Sequence, residues 1–511
     1  MLSVILWLPL AVGLVACLLP KRFVGPFALL GSLASLALAI ALVAGFDGAS
    51  GMLQESVSDS WIPDLGVRYE LGVDGLSIFM ILLTSLLWTA SVAYSAIQVP
   101  DRARSYFFML ALGQTATLGA FMAQDLLLFV LFFDLMLIPF YFLIGGWGEG
   151  DRVRATIKMI IYTFTGSLLM LAAAIATAML SADAAGGLTF SLETLREVPL
   201  GTGSQYWIFC FFALAFLIKM PAFLVHGWMP DAYRAAPLPV LVLLSGVLSK
   251  VGAYGFLRVV LPLYPEASIH FQEVVLIIAV ASILYGSVMA FTQTNLRLIA
   301  GYSSVAQLGF ITLGVFSLSA DGGDGSVIQM FNHGLVVAAT FFVIAALYER
   351  TGTEDLREMG GMAKHAPVFA GLFIVITMAT LAIPGSANFV GEFFILSGVF
   401  SSKVAIALIA SIGIALAAFY ALRMYQRTMH NRLPDGLVSR EITLREAVVI
   451  VPLVLCILAI AVYPGLITTR GEESVDRSLA SLCEGTYSNG ETSARTGCPE
   501  GVPESEAVAQ R

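Results

Sequence analysis

The chain has 511 residues, of which 58% are hydrophobic and only 12% charged, with a formal net charge of −8 and a mean hydropathy of +0.87. Soluble domains carry about 25% charged residues, so this composition excludes an ordinary soluble fold and points to a polytopic membrane protein. The acidic balance lies in loops and a tail and offers nothing to nucleic acid. The 5 cysteines show no Cys/His spacing for zinc, haem or an iron–sulfur cluster, and no glycine-rich phosphate loop follows a strand pattern.

The first apolar run, near residues 2–20, contains Leu14-Val15-Ala16-Cys17, wording that a lipoprotein cleavage box shares. No cation precedes the run and Lys21-Arg22 follow it, the wrong flank for an export signal, so a retained first helix is expected. A bilayer-spanning helix needs about 20 mostly apolar residues. That measure places spans near 2–20, 26–45, 73–97, 106–123, 126–145, 156–180, 205–225, 238–261, 272–292, 298–318, 327–348, 367–400, 404–422 and 446–463. The expected fold is therefore an all-α polytopic membrane protein of about fourteen transmembrane helices. Gln124-Asp125 makes a tight turn between the fourth and fifth.

Two of these helices read as broken. The seventh contains Lys219-Met220-Pro221, followed by His226-Gly227-Trp228. A proline removes a backbone donor and frees a carbonyl, which a membrane tolerates only beside protein or an internal water cavity. The twelfth contains Ile383-Pro384-Gly385-Ser386 and is too long for one straight span. From about residue 466 the chain is polar, shows no apolar periodicity and is expected to be loosely ordered. Cys483 and Cys498 lie in this tail, either unpaired or joined in a disulfide if the tail is outside the cytoplasm.

Cations concentrate in one set of alternate loops, among them Lys21, Arg22, Arg102, Arg104, Arg152, Arg154, Arg350 and Arg427. The opposite loops hold only Arg68, Arg196 and Lys403 before the tail. The bias puts both termini on the non-cytoplasmic side. Lys219, Lys250 and Arg258 are left inside predicted helices, with Asp134 and Glu392 as acids at depth, Asp74 near a helix start and His333 early in the eleventh span. A charge at mid-membrane costs a few kcal/mol even on gentle insertion scales, so these few residues are where chemistry is expected.

Asp134 sits among aromatic and aliphatic groups. Paired with Lys219 it would ionise, and separated it would hold a proton; the bland alternative is a static ion pair locking two helices. Lys219 and Lys250 are buried amines able to load and release a proton under modest electrostatic change. Glu392, after the second helix break, is a candidate exit carboxylate. His333 titrates near neutrality if unperturbed, although a lone membrane histidine is often a packing residue. His226 reads as structural or as an entrance group, and Arg258 as a helix-end anchor.

Transporters often carry inverted repeats with ion sites on broken helices. Shifting the chain by the interval between Lys219 and Glu392 lays Lys250 on Arg423 and Asp134 on Gln307, all polar positions. Helices 4–8 and 9–13 are thus the natural copies.

Leu71-Gly72-Val73-Asp74-Gly75-Leu76-Ser77, Phe133-Asp134-Leu135-Met136-Leu137-Ile138-Pro139, Lys219-Met220-Pro221, His226-Gly227-Trp228-Met229-Pro230-Asp231 and Asn388-Phe389-Val390-Gly391-Glu392-Phe393 resemble the antiporter-like subunits of respiratory complex I. The likeness covers roughly residues 1–465, and the glutamate in the twelfth helix favours the M type, since L- and N-type relatives usually carry lysine there.

The resemblance implies two inverted five-helix repeats, at 106–261 and 272–425, after N-terminal helices 1–3 in 1–105. A last helix at 446–465 and a polar tail at 466–511 would follow. It implies a subunit of a proton-translocating NADH:quinone oxidoreductase in a bacterial inner membrane, beside L-type and N-type neighbours. It further implies no redox centre in this chain, with NADH, FMN, iron–sulfur clusters and quinone in other subunits. By motif, Asp134 takes the fifth-helix carboxylate, Lys219 and Lys250 the lysines of helices 7 and 8, His333 the eleventh-helix histidine and Glu392 the terminal glutamate.

Three positions depart from the family's pattern. Asp134 is one methylene shorter than the usual glutamate, Gln307 stands where histidine is common, and Asp231-Ala232-Tyr233-Arg234 drifts towards N-type wording. Because an amide cannot take up a proton, water or His333 must carry the relay past Gln307. The rivals are a subunit of an Mrp-type sodium/proton antiporter and a structural membrane-arm scaffold without a channel.

Overall fold

The computed structural model describes residues 1–98, 100–434 and 439–484. Its helices follow the apolar runs in order: α1 (Leu2–Leu18), α2 (Lys21–Ala44), α3 (Ile78–Gln98), α4 (Ala103–Met122), α5 (Leu126–Trp147), α6 (Arg152–Ser181) and α7 (Thr202–Lys219). Then come α8 (Leu238–Leu263), α9 (Gln272–Thr292), α10 (Leu296–Val315), α11 (Ala320–Thr351), α12a (Pro367–Thr380), α12b (Ala387–Phe400), α13 (Val404–Met429) and α14 (Leu444–Val462). Among the described residues, 11 of these helices are long and apolar enough to cross a membrane. The exceptions are α1, just under length, α4, diluted by Gln114, Thr115 and Thr117, and the two halves of α12.

Helices α8, α10 and α11 are buried along their whole apolar windows and form the centre of the bundle. The outer helices leave an apolar belt of side chains such as Ile161, Leu408, Phe419 and Leu455 exposed, as a lipid-facing surface requires. At the centre α8 and α11 approach closely. A Cβ on Gly334 would lie 2.8 Å from the carbonyl oxygen of Gly246, so only small residues let these backbones meet.

Two segments depart from the expected pattern. Between α2 and α3 the chain forms an antiparallel hairpin, β1 (Gln54–Ile62) and β2 (Val67–Val73), with Ser60 opposite Arg68 and Val57 opposite Leu71. Pro63-Asp64-Leu65 turns the corner and Gly66, at φ 65°, supplies the left-handed residue that closes it. The hairpin is tied to the membrane helices because Asp125 accepts from the Arg68 amide at 3.0 Å while also capping α5 through the Leu128 amide at 2.9 Å.

The other is the tail, whose first part is ordered: α15 (Gly465–Glu484) is a helix with Ile467, Val475 and Leu479 buried. The apolar stripe is real, but Glu472, Glu473, Asp476 and Arg477 surround it and lower the average that a hydropathy reading weighs. This helix runs across the ends of the bundle, where Ser474 Oγ accepts from the Gly75 amide at 2.9 Å. The side chain of Cys483 and all of Cys498 lie outside the described residues, and with them the disulfide expectation.

Candidate functional site

The break after α7 is built from the sequence outward. Pro221 has no amide hydrogen, so the Leu217 carbonyl instead accepts from the Ala222 amide at 2.9 Å. The next carbonyl, Ile218, accepts from the indole Nε1 of Trp228 at 3.0 Å. Leu224 adopts φ 78° as the chain reverses into the short helix Met229–Ala235. Lys219, the last residue of α7, is therefore held at a helix end whose free carbonyls are already satisfied, with the residue only 5% exposed.

Its Nζ lies over the Phe133 ring, 4.5 Å from the centroid, and 3.5 Å from the Phe133 carbonyl. The adjacent Asp134 is half-buried beside an irregularity at Met136 in α5, where Pro139 cannot donate to the Leu135 carbonyl. The expected pairing is not made: among the described residues no ion pair within 4.0 Å joins Asp134 to Lys219, and Asp134 Oδ1 has no hydrogen-bond partner. The acid makes no ion pair, and the cation lies over an aromatic face.

Helix α8 contains two π-turns, Leu244–Leu248 and Phe256–Val260, a feature often found at functional sites and one the apolar pattern did not disclose. Lys250 follows the first. It is wholly buried, and its Nζ donates to the Ser245 carbonyl at 2.6 Å, with Ser249 Oγ at 3.4 Å. His333 on α11, 3% exposed, lies close enough to Lys250 for their charges to interact.

A small cavity then joins His333 to Ser303, Gln307, Thr340, Asn388 and Tyr420. Glu392, 3% exposed on α12b, accepts from Gln307 Nε2 at 2.8 Å. The α12 break itself is made by Ala382 at φ 50° and Gly385 at φ 89°, and Asn332 Nδ2 holds the start of α12b by donating to the Ala387 carbonyl at 2.7 Å.

The structure thus sets Lys250 and His333 on the packed helices α8 and α11, bonds Gln307 to Glu392, and leaves Asp134 unbonded to Lys219. Arg423 is not the buried counterpart of Lys250. It is half-buried and donates to the carbonyls of Phe291 and Gln293.

Arg258 is not a helix-end anchor either. It is 2% exposed in the second π-turn, bonded to Asp74 at 2.5 Å and to the Tyr254 hydroxyl at 3.0 Å. Burial alone would raise the Asp74 carboxyl, but the Arg258 cation beside it holds it below the usual range. Next to this pair, burial pulls Arg196 down to about 10.

Sequence reasoning passed over Gln329, Asn332, Asn388, Ser303 and Tyr420. A signal was present for one of them: Gln329 lies one helical turn before His333, on the same face of α11. His226 is half-buried with Nε2 3.2 Å from the Tyr285 hydroxyl, and nearby Lys158 pairs with Asp231 at 2.8 Å. Among the described residues no group of three or more His, Cys, Asp or Glu is placed to hold a metal ion.

Residues 123–417 match the family described as NADH:quinone oxidoreductase/Mrp antiporter, TM. A relative named NADH-quinone oxidoreductase subunit M, from Rhodobacter capsulatus, is 35% identical over 506 residues, covering 96% of this chain and 97% of its own. Among solved structures, a chain of the respiratory complex I from Thermus thermophilus with bound NADH superposes with a TM-score of 0.87 at 30% identity, over 94% of this chain and 100% of that one. A chain of the Mrp complex from Dietzia sp. DQ12-45-1b reaches a TM-score of 0.82 at 21% identity over 94% of this chain and 98% of that one, a likeness of fold alone. With a family match across its central helices and full-length likeness to a named relative, the chain belongs to the NADH:quinone oxidoreductase/Mrp antiporter transmembrane family, in its NADH-quinone oxidoreductase subunit M branch.

Proposed function

We infer that this chain is a proton-translocating subunit in the membrane arm of a bacterial NADH:quinone oxidoreductase, working beside other antiporter-like subunits of L and N type. The observation that carries the reading is a series of buried ionisable side chains, Lys219, Lys250, His333 and Glu392, each at most 5% exposed. They sit on helices α7, α8, α11 and α12b, neighbours that pack on one another in that order. In a membrane such residues are too costly to keep without a task. NADH, FMN, iron–sulfur clusters and quinone belong to other subunits in this reading, and both termini face away from the cytoplasm.

Two inverted repeats, 106–261 and 272–425, organise the path. In support, the starts of α5 and α10 are built alike. Asp125 caps α5 and bridges to Ser191 ahead of α7, while Asn295 caps α10 and bridges to Asp355 ahead of α12a. Quinone reduction elsewhere changes the approach of Asp134 to Lys219. The lysine's affinity for its proton changes with it, and a proton passes through Lys250, His333 and the cavity beside Asn388 to Glu392. Such coupling requires a contact that differs between states, and the open Asp134–Lys219 approach leaves room for one. The Mrp-type alternative rests on fold likeness at 21% identity.

The deciding experiment is NADH-driven proton pumping by the assembled, reconstituted complex carrying Lys219→Ala or, separately, Glu392→Gln. Most pumping should be lost in each at normal assembly. Retained pumping in both would overturn the assignment, and sodium-dependent exchange without NADH would favour the antiporter.

A further inference from the structure

The Gln307–Glu392 bond continues one residue further. Gln307 Oε1 accepts from Gln329 Nε2 at 2.7 Å, so α11, α10 and α12b are joined by an amide–amide–carboxylate chain. Gln329 is 0% exposed and Gln307 2%. At the far end of this chain Gln329 Oε1 is buried with no hydrogen-bond partner among the described residues. Gly391 makes the arrangement feasible, because a Cβ there would fall 2.9 Å from Gln329 Cβ and closer still to its amide oxygen.

Resting on the reading of Glu392 as a proton carrier, we propose that Gln307 and Gln329 are positioning residues whose amides reverse together each time Glu392 gains or loses a proton. An ionised carboxylate only accepts hydrogen bonds, whereas a protonated one also donates. The observed donor direction, Gln329 to Gln307 to Glu392, is the one the ionised form requires. When a proton arrives on Glu392 Oε1, its O–H needs an acceptor, and Gln307 supplies Oε1 by turning its amide. The turned Gln307 then offers Nε2 to Gln329, whose oxygen, unpartnered in the first arrangement, becomes the acceptor.

No proton crosses the amides. The one that reaches Glu392 also leaves from it, and the pair keeps a hydrogen bond on the carboxyl in both states. The Tyr420 hydroxyl, facing Glu392 from α13, is engaged by Ser303 Oγ at 2.9 Å, and His333 faces the adjoining cavity from α11. In this chain the glutamine pair thus carries the support of Glu392.

Infrared difference spectroscopy on the assembled complex during NADH-driven turnover tests this. A carboxylic C=O band that disappears in Glu392→Gln identifies the residue. That band should shift to higher wavenumber in Gln307→Met and, by less, in Gln329→Met, with a lower proton-to-electron ratio in both. Wild-type band position and pumping in both methionine variants would overturn the amide pair while leaving Glu392 as carrier. A shift in Gln307→Met with none in Gln329→Met would overturn the two-residue chain. Unchanged pumping and no lost band in Glu392→Gln would instead remove the reading beneath it. If Gln307→Met does not assemble, Gln329→Met decides alone, since it leaves the contact to Glu392 in place.

Discussion

The Nζ of Lys250 donates at 2.6 Å to the carbonyl of Ser245, an oxygen in a π-turn of the same helix that also accepts from Ser249 Oγ at 2.8 Å. The amine is thus placed by its own helix and not by an opposing carboxylate. An ammonium bound only to neutral oxygens is free to exchange its proton with a neighbour such as His333, where a salt bridge would hold it.

Lys250→Met keeps the length of the side chain and removes the proton site. Ser245 still receives the Ser249 hydroxyl, so thermal stability of the complex should fall by no more than about 1 kcal/mol. NADH-driven pumping, measured in vesicles, should drop severely. Pumping at the wild-type ratio would remove Lys250 from the relay, and loss of assembly with a normal ratio would favour a scaffold role.

Asp134→Glu adds about 1.5 Å of reach towards Lys219. The longer acid should make the ion pair that aspartate does not, with pumping kept or raised, whereas Asp134→Asn should lower the pumping ratio. Equal pumping in wild type and Asp134→Asn would show that the carboxylate does not act on Lys219.

Trp228→Phe removes the indole donor from the Ile218 carbonyl just before the α7 break. An unpartnered buried acceptor costs about 1–3 kcal/mol, which a thermal-shift measurement on the purified complex should register. Pumping should fall as well, because Lys219 is the next residue. Wild-type melting and pumping together would mean that the break is held without Trp228.

Asp74→Asn leaves the Arg258 cation buried beside Arg196 with no counter-charge, and breaking such a pair costs about 3–5 kcal/mol. Poor assembly or a sharply lower melting temperature is expected, with partial recovery in the double variant that also carries Arg258→Met. The pH dependence has a definite sign. Arg258 holds the Asp74 carboxyl below its ordinary 3.8, so the pair's stabilisation is complete above that value and is lost only as the pH falls through the lowered one. A loss of this stabilisation near neutral pH would contradict the pairing.

The membrane spans were legible because a bilayer imposes a length and an apolar composition that residues 272–292 or 404–422 display without reference to any neighbour. The two helix breaks were legible as well, since Pro221 acts on its own turn and Gly385 beside Pro384 takes the left-handed backbone of the second break. The β1–β2 hairpin was not. Its alternation is short, and it is tied down by Asp125, far away in the chain. Helix α15 was missed because its apolar stripe has meaning only once a surface exists for it to cover.

Sequence alone settled which residues are too polar for lipid: Lys219, Lys250, His333, Glu392 and Asp134 stand out against their apolar surroundings wherever they point. Tertiary structure decided which of them meet. Asp134 makes no ion pair with Lys219, whereas Asp74 reaches Arg258 across a separation that no sequence period encodes. Gln329, marked in the string only by its place one turn before His333, became part of the site because Gly391 lets α11 and α12b approach. Hydrophobicity and backbone breaks are local properties written residue by residue, while hydrogen bonds between helices depend on distances that only the packed bundle sets.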